Sequence, residues 1–137
     1  MSELKEGMRV LLVEDNRSNI MLVEVFLKQT GYVLDVAEDG LAALEMYRAQ
    51  RYDAVLMDMQ MPKMDGYQAT GEIRRCEREQ GRKPAVILAL TANALVEDQQ
   101  RSLAAGCDGH LCKPVKKKLL LETLQAIAQL NNFMRVP

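Results

Sequence analysis

Short apolar runs alternate along the chain with segments in which apolar residues recur every three or four positions. Apolar runs of this length predict strands buried on both faces, and the spacing of three and four predicts helices. The five predicted strands cover 8–13, 33–36, 53–57, 85–90 and 110–112. The five predicted helices cover 17–30, a segment that starts after Asp39, 65–80, 95–105 and a last segment with Leu120, Leu124 and Ile127 on one face.

This alternation predicts an α/β fold with a doubly wound parallel sheet and helices on both faces, because parallel strands need crossover connections. Of the common doubly wound sheets, the flavodoxin-like order 2-1-3-4-5 fits five strands best. A length of 137 residues suits one domain. We expect a single domain over 1–137 with its core at about 8–130, and a frayed tail at 131–137.

Composition narrows the class of protein. Eighteen basic and nineteen acidic residues give a net charge of −1, which excludes nucleic-acid binding through bulk positive charge. The chain shows no secretion signal and no apolar run long enough for a membrane segment, so we expect a cytoplasmic protein. Cys76, Cys107 and Cys112 are odd in number and irregularly spaced, which indicates free thiols in a reducing compartment.

Polar side chains collect where the predicted strands end. Glu14 and Asp15 follow the first strand, and Asp58 ends the third. Thr91 ends the fourth strand, and Lys113 follows the fifth. In a parallel sheet these ends share one edge, and open α/β sheets bind ligands there, between strands one and three. The sequence therefore predicts that all five side chains converge on one pocket.

The chemistry of these side chains is complementary. Two carboxylates about 4 Å apart repel by about 4 kcal/mol at an effective dielectric constant of 20, so three of them need a divalent cation, a bound proton or a raised pKa. Oxygen ligands with no His or Cys beside them favour a hard ion, and Mg²⁺ is the expected one. The ammonium of Lys113 and the hydroxyl of Thr91 would stabilise the charge that develops during phosphoryl transfer.

Each of these residues alone also has an ordinary structural interpretation. An aspartate at a strand end is usually a turn or cap residue, and a lysine before proline is usually solvated. An acidic pair such as Glu14 and Asp15 often caps a helix. Their joint placement at the ends of four strands favours a shared site.

Four motifs carry a resemblance to a known family. They are Val-Glu-Asp-Asn at 13–16, Met-Asp-Met-Gln-Met-Pro-Lys-Met-Asp-Gly at 57–66, Leu-Thr-Ala-Asn-Ala at 90–94 and Lys-Pro at 113–114. In this order and on these elements they resemble response-regulator receiver domains of two-component signal transduction. The resemblance covers about 8–130.

The resemblance implies a role for each acidic residue. Asp58 would be the phosphoacceptor, whose carboxylate attacks the phosphorus of a phosphohistidine and forms an acyl phosphate. Asp15 would bind Mg²⁺ directly, and Glu14 would help mostly through water. The backbone carbonyl of Gln60 would complete the protein ligands, together with Asp58 itself.

The resemblance also implies roles on the other side of the phosphoryl group. Lys113 would pair with a phosphoryl oxygen, and Pro114 would follow a cis peptide bond. Thr91 would hydrogen-bond the phosphoryl group and move with it. His110 stands where many members of the family have Tyr or Phe. It is either a partly exposed strand residue without a switching role or, as we expect, a residue that swings inward when Thr91 shifts.

Two further positions bear on the lifetime of the phosphoryl group. In the family, the residues two beyond the acceptor and two beyond the threonine flank the path of the attacking water. They are Gln60 and Asn93, and neither is a carboxylate that could act as a base. The resemblance therefore implies slow to moderate self-dephosphorylation.

Three other functions compete with this interpretation. A phosphohydrolase of the haloacid-dehalogenase type would need a second Asp two residues after the nucleophile, where Gln60 stands. A Rossmann domain would need GxGxxG after the first strand, where this chain has residues 14–18 in the sequence EDNRS. A receiver-like scaffold that has lost phosphorylation would have lost at least one of the five polar residues.

We therefore expect a phosphoacceptor module rather than an enzyme with an external substrate, one that promotes only its own phosphorylation and dephosphorylation. A histidine kinase or a histidine phosphotransfer protein would supply the phosphoryl group. The acceptor loop and the LTANA segment are more similar to receivers attached to hybrid histidine kinases than to free-standing ones.

Overall fold

The computed structural model describes residues 8–61, 64–92 and 95–135. Five strands alternate with five helices, which confirms the predicted α/β fold. The strands are β1 (Arg9–Val13), β2 (Val33–Ala37), β3 (Ala54–Asp58), β4 (Val86–Thr91) and β5 (Gly109–Cys112). The helices are α1 (Arg17–Leu27), α2 (Gly40–Ala49), α3 (Gly66–Gln80), α4 (Val96–Ala105) and α5 (Lys117–Arg135).

All five strands are parallel and form one sheet in the order β2-β1-β3-β4-β5, as predicted. Strands β1 and β3 are neighbours, with Val13 opposite Met57. Strands β1 and β3 therefore end at the same level of the sheet, and the residues that follow them meet at its carboxyl edge.

The sheet separates two apolar cores, because alternate strand residues point to opposite faces. Leu11 and Val13 join one core with Ile73 of α3, and Val10 and Leu12 join the other with α1 and α5. Burial on both faces explains why the central strands are apolar throughout rather than alternating.

Three helices begin at the carboxyl edge with side-chain caps. Asn16 accepts the backbone N–H of Asn19 at 3.0 Å, and Asp39 accepts that of Ala42 at 2.8 Å. Asp65 accepts the N–H of Gln68 at 2.9 Å, and the Gln68 side chain accepts the N–H of Asp65 in return. Such caps satisfy N–H groups that the helix itself leaves unpaired, and they fix where α1, α2 and α3 start beside the site.

Two predicted helix ends are wrong. Helix α1 ends at Leu27 rather than Thr30, because the Thr30 hydroxyl donates to the Leu27 carbonyl and the chain then turns through Gly31 at a φ of 84°. Helix α5 continues to Arg135, beyond the residue at which we predicted that it ends. The Asn131 side-chain amide donates to Asp53 Oδ1 at 3.0 Å, which joins this part of α5 to the residue before β3.

The described residues include no helix that is both long and apolar enough to cross a membrane. All three cysteines are described, and each has a free thiol. Cys76 and Cys107 are buried, whereas Cys112 is exposed.

Candidate functional site

Three carboxylates meet at the carboxyl edge of the sheet. Glu14 and Asp58 are 1% and 4% exposed, and Asp15 is exposed. Each offers an oxygen that lies within 4.8 Å of the other two. The parallel register of β1 and β3 produces this cluster, because Glu14 follows β1 and Asp58 ends β3 at the same edge.

Lys113 reaches into the cluster from the far side of β4. Its Nζ lies 3.1 Å from Glu14 Oε1 and 3.2 Å from Asp58 Oδ1. The Lys113 backbone N–H donates to the Thr91 carbonyl at 2.8 Å, which continues the pairing of β4 with β5 by one residue. The peptide bond from Lys113 to Pro114 is cis, as the resemblance implied.

The environment of Asp58 opposes its ionisation. Burial is the largest effect and raises the pKa of Asp58, and the charge of Glu14 raises it further. The Gln60 backbone N–H, which donates to Oδ1 at 3.1 Å, and the Lys113 ammonium both lower it. The net shift of the Asp58 pKa is upward, so at neutral pH its negative charge is held in unfavourable surroundings.

The environment of Lys113, in contrast, favours its charged form. Burial by itself lowers the pKa of an ammonium, but hydrogen bonding and charge from Glu14 and Asp58 outweigh that effect. The pKa of Lys113 is therefore raised, and the side chain stays positive. One positive charge then faces three carboxylates, which leaves the cluster with excess negative charge.

The donor set suits a hard divalent cation. Glu14 Oε1 is buried, and the ammonium of Lys113, 3.1 Å away, is the contact that the described residues provide for it. Glu14 Oε2 accepts the Asn16 backbone N–H at 3.2 Å. Carboxylate oxygens with unused lone pairs and uncompensated charge are the ligands that Mg²⁺ takes in proteins. The residues present therefore fit a magnesium ion.

A cavity of about 410 Å³ opens beside the carboxylates. Four predicted site residues line it: Asp58, Gln60, Thr91 and Lys113. Tyr67 and Arg101 line it as well, with the Arg101 guanidinium 3.8 Å from the centroid of the Tyr67 ring. The sequence alone does not predict this pair, because a contact between α3 and α4 produces no pattern in the spacing of neighbouring residues.

Two predicted residues are not brought to the carboxylate cluster by the described structure. His110 is exposed on β5, where it pairs with Ala89 of β4, and it lines a second cavity of about 410 Å³ with Cys112 and Leu119. Asn93 lies outside the described residues.

An open parallel sheet with an acidic cluster and a lysine at the switch between β1 and β3 places the chain among the doubly wound α/β domains that bind ligands at this edge. Comparison with known families identifies the family of this chain. The model of the response regulator receiver domain matches residues 10–125. The chain belongs to this family, and it is a receiver domain of two-component signalling.

Similar curated proteins are much longer than this chain. The chain is 40% identical over 121 residues to hybrid signal transduction histidine kinase B of Dictyostelium discoideum. This match covers 82% of this chain and 6% of the kinase. Over 116 residues it is 40% identical to the sensor protein GacS of Pseudomonas syringae pv. syringae, with 85% of this chain and 13% of that protein covered. The chain thus spans a small part of these relatives.

Two solved structures are similar over most of their length. The receiver domain of the sensor histidine kinase PA1611 from Pseudomonas aeruginosa is 42% identical, with a TM-score of 0.80 over 90% of this chain and 98% of that one. It holds a magnesium ion in its active-site cleft. The second similarity is to a complex from Saccharomyces cerevisiae of the phosphotransfer protein Ypd1 with the receiver domain of Ssk1. It has 28% identity and a TM-score of 0.87 over 91% of both chains.

Proposed function

We propose that this receiver domain takes a phosphoryl group from a phosphohistidine onto Asp58. A carboxylate oxygen of Asp58 forms the new P–O bond, while the P–N bond to the donor imidazole breaks and its electron pair stays on that nitrogen, which is then protonated. The observation that carries the proposal is the placement of Asp58 between the Lys113 ammonium, 3.2 Å away, and the other two carboxylates. Carboxylates form such covalent intermediates in other proteins.

The acidic residues would hold Mg²⁺ beside the acceptor. In this arrangement Asp15 and Asp58 are direct ligands, Glu14 acts mostly through water, and the Gln60 backbone carbonyl completes the protein ligands. Bound magnesium neutralises charge on the carboxylates and on the incoming phosphoryl oxygens. The fit of the three carboxylate oxygens and the ion in the PA1611 receiver domain support this role.

The remaining polar groups would bind the phosphoryl group once it is on Asp58. Lys113 exchanges a contact with the Asp58 carboxylate for one with a phosphoryl oxygen, and the Thr91 hydroxyl donates to another. Both side chains line the cavity that Asp58 faces. Such fixed donors stabilise the charge that develops on the transferred group.

The donor would be a histidine kinase or a histidine phosphotransfer protein in the cytoplasm. Names of relatives support the first, and the Ypd1 complex of a similar receiver domain supports the second. Three free thiols suit a reducing compartment. The domain promotes its own phosphorylation and dephosphorylation and turns over no other substrate, since Gln60 replaces the second aspartate that a haloacid-dehalogenase-type hydrolase needs.

Gln60 and Asn93 would set a slow to moderate rate of self-dephosphorylation, because neither can act as a base toward water. The test is to measure the hydrolysis rate of the purified phosphoprotein in the wild type and in a Gln60→Glu, Asn93→Glu double variant. We expect a changed rate in the double variant. An unchanged rate would remove both positions from the proposal.

His110 would transmit phosphorylation to a partner by moving inward when Thr91 moves. Its exposed position on β5 leaves the side chain free to report such a change at the surface. A His110→Ala variant should lose most of the difference in partner affinity between the phosphorylated and unphosphorylated forms. Retention of the full difference would exclude this role.

The acceptor can be tested with acetyl phosphate and Mg²⁺. We expect the intact wild-type protein to gain the mass of one phosphoryl group, and Asp58→Asn to gain none. Asp35→Asn is the matched control, because Asp35 lies on the edge strand β2 and bonds Tyr52 rather than the site. Equal labelling of Asp58→Asn and the wild type would disprove the assignment.

A further inference from the structure

Two helices that begin beside the acceptor start with the same dipeptide, and each meets the chain that follows Asp58. Asp39 caps α2 and Asp65 caps α3, and a glycine is the first helical residue in both cases. These glycines, Gly40 and Gly66, are buried. Neither has positive φ among the backbone angles of the structure, so the requirement for glycine at these positions comes from space rather than from conformation.

Gly66 lies against the backbone of the acceptor itself. A Cβ placed on Gly66 would lie 2.5 Å from the Asp58 carbonyl oxygen and 2.6 Å from Met59 Cα. Both are backbone atoms, so a side-chain rotation cannot relieve the overlap. The start of α3 therefore packs directly on the end of β3, at the residue that carries the reactive carboxylate.

Gly40 makes the corresponding contact at the other end of the same loop. A Cβ on Gly40 would lie 2.6 Å from the Met64 carbonyl oxygen and 2.9 Å from Met64 Cβ. Met64 lies two residues before Gly66, so the described parts of the loop between β3 and α3 are held from two sides. Gly71, within α3, contrasts with both, since a Cβ there would meet nothing within 4 Å.

We propose that Gly66, assisted by Gly40, is a positioning residue that fixes the Asp58 carboxylate and the Gln60 backbone for metal binding and attack. The proposal rests on the proposed function of Asp58. It assigns Gly66 a direct role in reactivity, because the backbone that it contacts carries the acceptor side chain, whereas Gly40 acts on the same loop through Met64. Ordinary van der Waals distances would require that backbone to move by about 0.5–1 Å, and misplacements of about 1 Å reduce reaction rates by up to about 100-fold.

The test compares two alanine substitutions in the same helix. Gly66→Ala introduces the overlap, whereas Gly71→Ala adds the same methyl group in open space. For each variant the phosphorylation rate with acetyl phosphate is measured per folded molecule, with the folded fraction taken from urea unfolding followed by circular dichroism. We expect the Gly66→Ala rate to fall at least about 10-fold, and the Gly71→Ala rate to stay within about two-fold of the wild type.

A second readout is independent of reactivity and separates positioning from general destabilisation. In the wild type and Gly71→Ala, Mg²⁺ should shift the backbone amide NMR signals of Met59 and Gln60 in the same way. In folded Gly66→Ala these two signals should lie at different positions before Mg²⁺ is added, and saturation should need more Mg²⁺. A role in stability alone would lower the urea midpoint and leave both the shifts and the rate per folded molecule unchanged, which would overturn the proposal.

The outcomes distinguish this inference from the proposed function. If the wild type and Gly71→Ala are not labelled on Asp58, the proposed function fails; if they are labelled and folded Gly66→Ala is labelled equally fast, only the inference fails. Should Gly66→Ala not fold even with a stabilising osmolyte, Gly40→Ala decides the question through its contact with Met64. A wild-type rate and unchanged amide shifts in folded Gly40→Ala would then overturn the proposal.

Discussion

At the scale of single residues, Asp58 combines two demands that oppose each other. Burial and the nearby charge of Glu14 disfavour its ionised form, yet a nucleophilic carboxylate must be ionised. The Gln60 N–H and the Lys113 ammonium partly stabilise the ionised form, since both lower the pKa of Asp58. The metal-free protein is therefore less stable at neutral pH than it would be with a neutral side chain at this position.

This balance predicts that Asp58→Asn stabilises the metal-free protein. The folded-state pKa of Asp58 is raised above that of the unfolded chain, so the wild type loses stability as pH rises from about 4 through the folded-state pKa. In EDTA at pH 7 the free energy of unfolding of Asp58→Asn should exceed that of the wild type, and the difference should close toward pH 4. Urea unfolding at several pH values measures this difference. A wild type that is more stable than Asp58→Asn in EDTA would contradict the prediction.

At the scale of secondary-structure elements, one arginine joins α3 to the starts of two strands, at the sheet edge opposite the site. The Arg74 guanidinium donates to Glu77 at 2.8 Å, to the Ala85 carbonyl at 2.8 Å and to Asp108 at 2.7 Å. Glu77 is buried, and it also accepts the Tyr47 hydroxyl of α2. Burial, followed by this bond, raises the pKa of Tyr47, so the phenol remains a donor.

Removing Arg74 should be far more costly than removing its neighbour in the same helix. Arg74→Ala leaves the buried Glu77 charge without its cation, and such a loss costs about 3–5 kcal/mol. Arg75 pairs with Glu79 at the surface, where the two side chains are 63% and 60% exposed, so Arg75→Ala should lower the free energy of unfolding by less than about 1 kcal/mol. Urea unfolding of both variants tests this, and equal losses would refute it.

The elements themselves were largely predictable from the sequence, whereas contacts between elements were not. Strands and helices follow from periodicity, and caps such as Asp65 follow from residue type. The Arg74–Glu77 ion pair was missed because many exposed helices also carry such i, i+3 spacings, and only the fold decides which pair is buried. Gly66 was missed as a packing residue, although the repeated Asp-Gly at two helix starts was a usable signal.

At the scale of the whole molecule, the parallel sheet gathers carboxylates from residues 14, 15 and 58 against one lysine from residue 113. Folding adds the repulsion between Asp58 and the adjacent pair Glu14 and Asp15, because the unfolded chain keeps residue 58 far from this pair. A cation that binds the cluster removes the repulsion only in the folded state. Metal binding and global stability are therefore linked.

This linkage predicts that Mg²⁺ raises the thermal stability of the entire domain. At a free concentration of about 100 times its Kd, an ion that binds only the folded state adds about 2.7 kcal/mol, which corresponds to a rise in Tm of roughly 5–15 °C for a domain of this size. Asp15→Asn should lose most of the rise, because Asp15 is exposed and its substitution replaces a charged carboxylate of the cluster by a neutral amide without disturbing the core. Scanning calorimetry with Mg²⁺, and with KCl at equal ionic strength as the control, measures the effect. The same rise in Asp15→Asn, or in KCl, would show that the stabilisation does not come from this cluster.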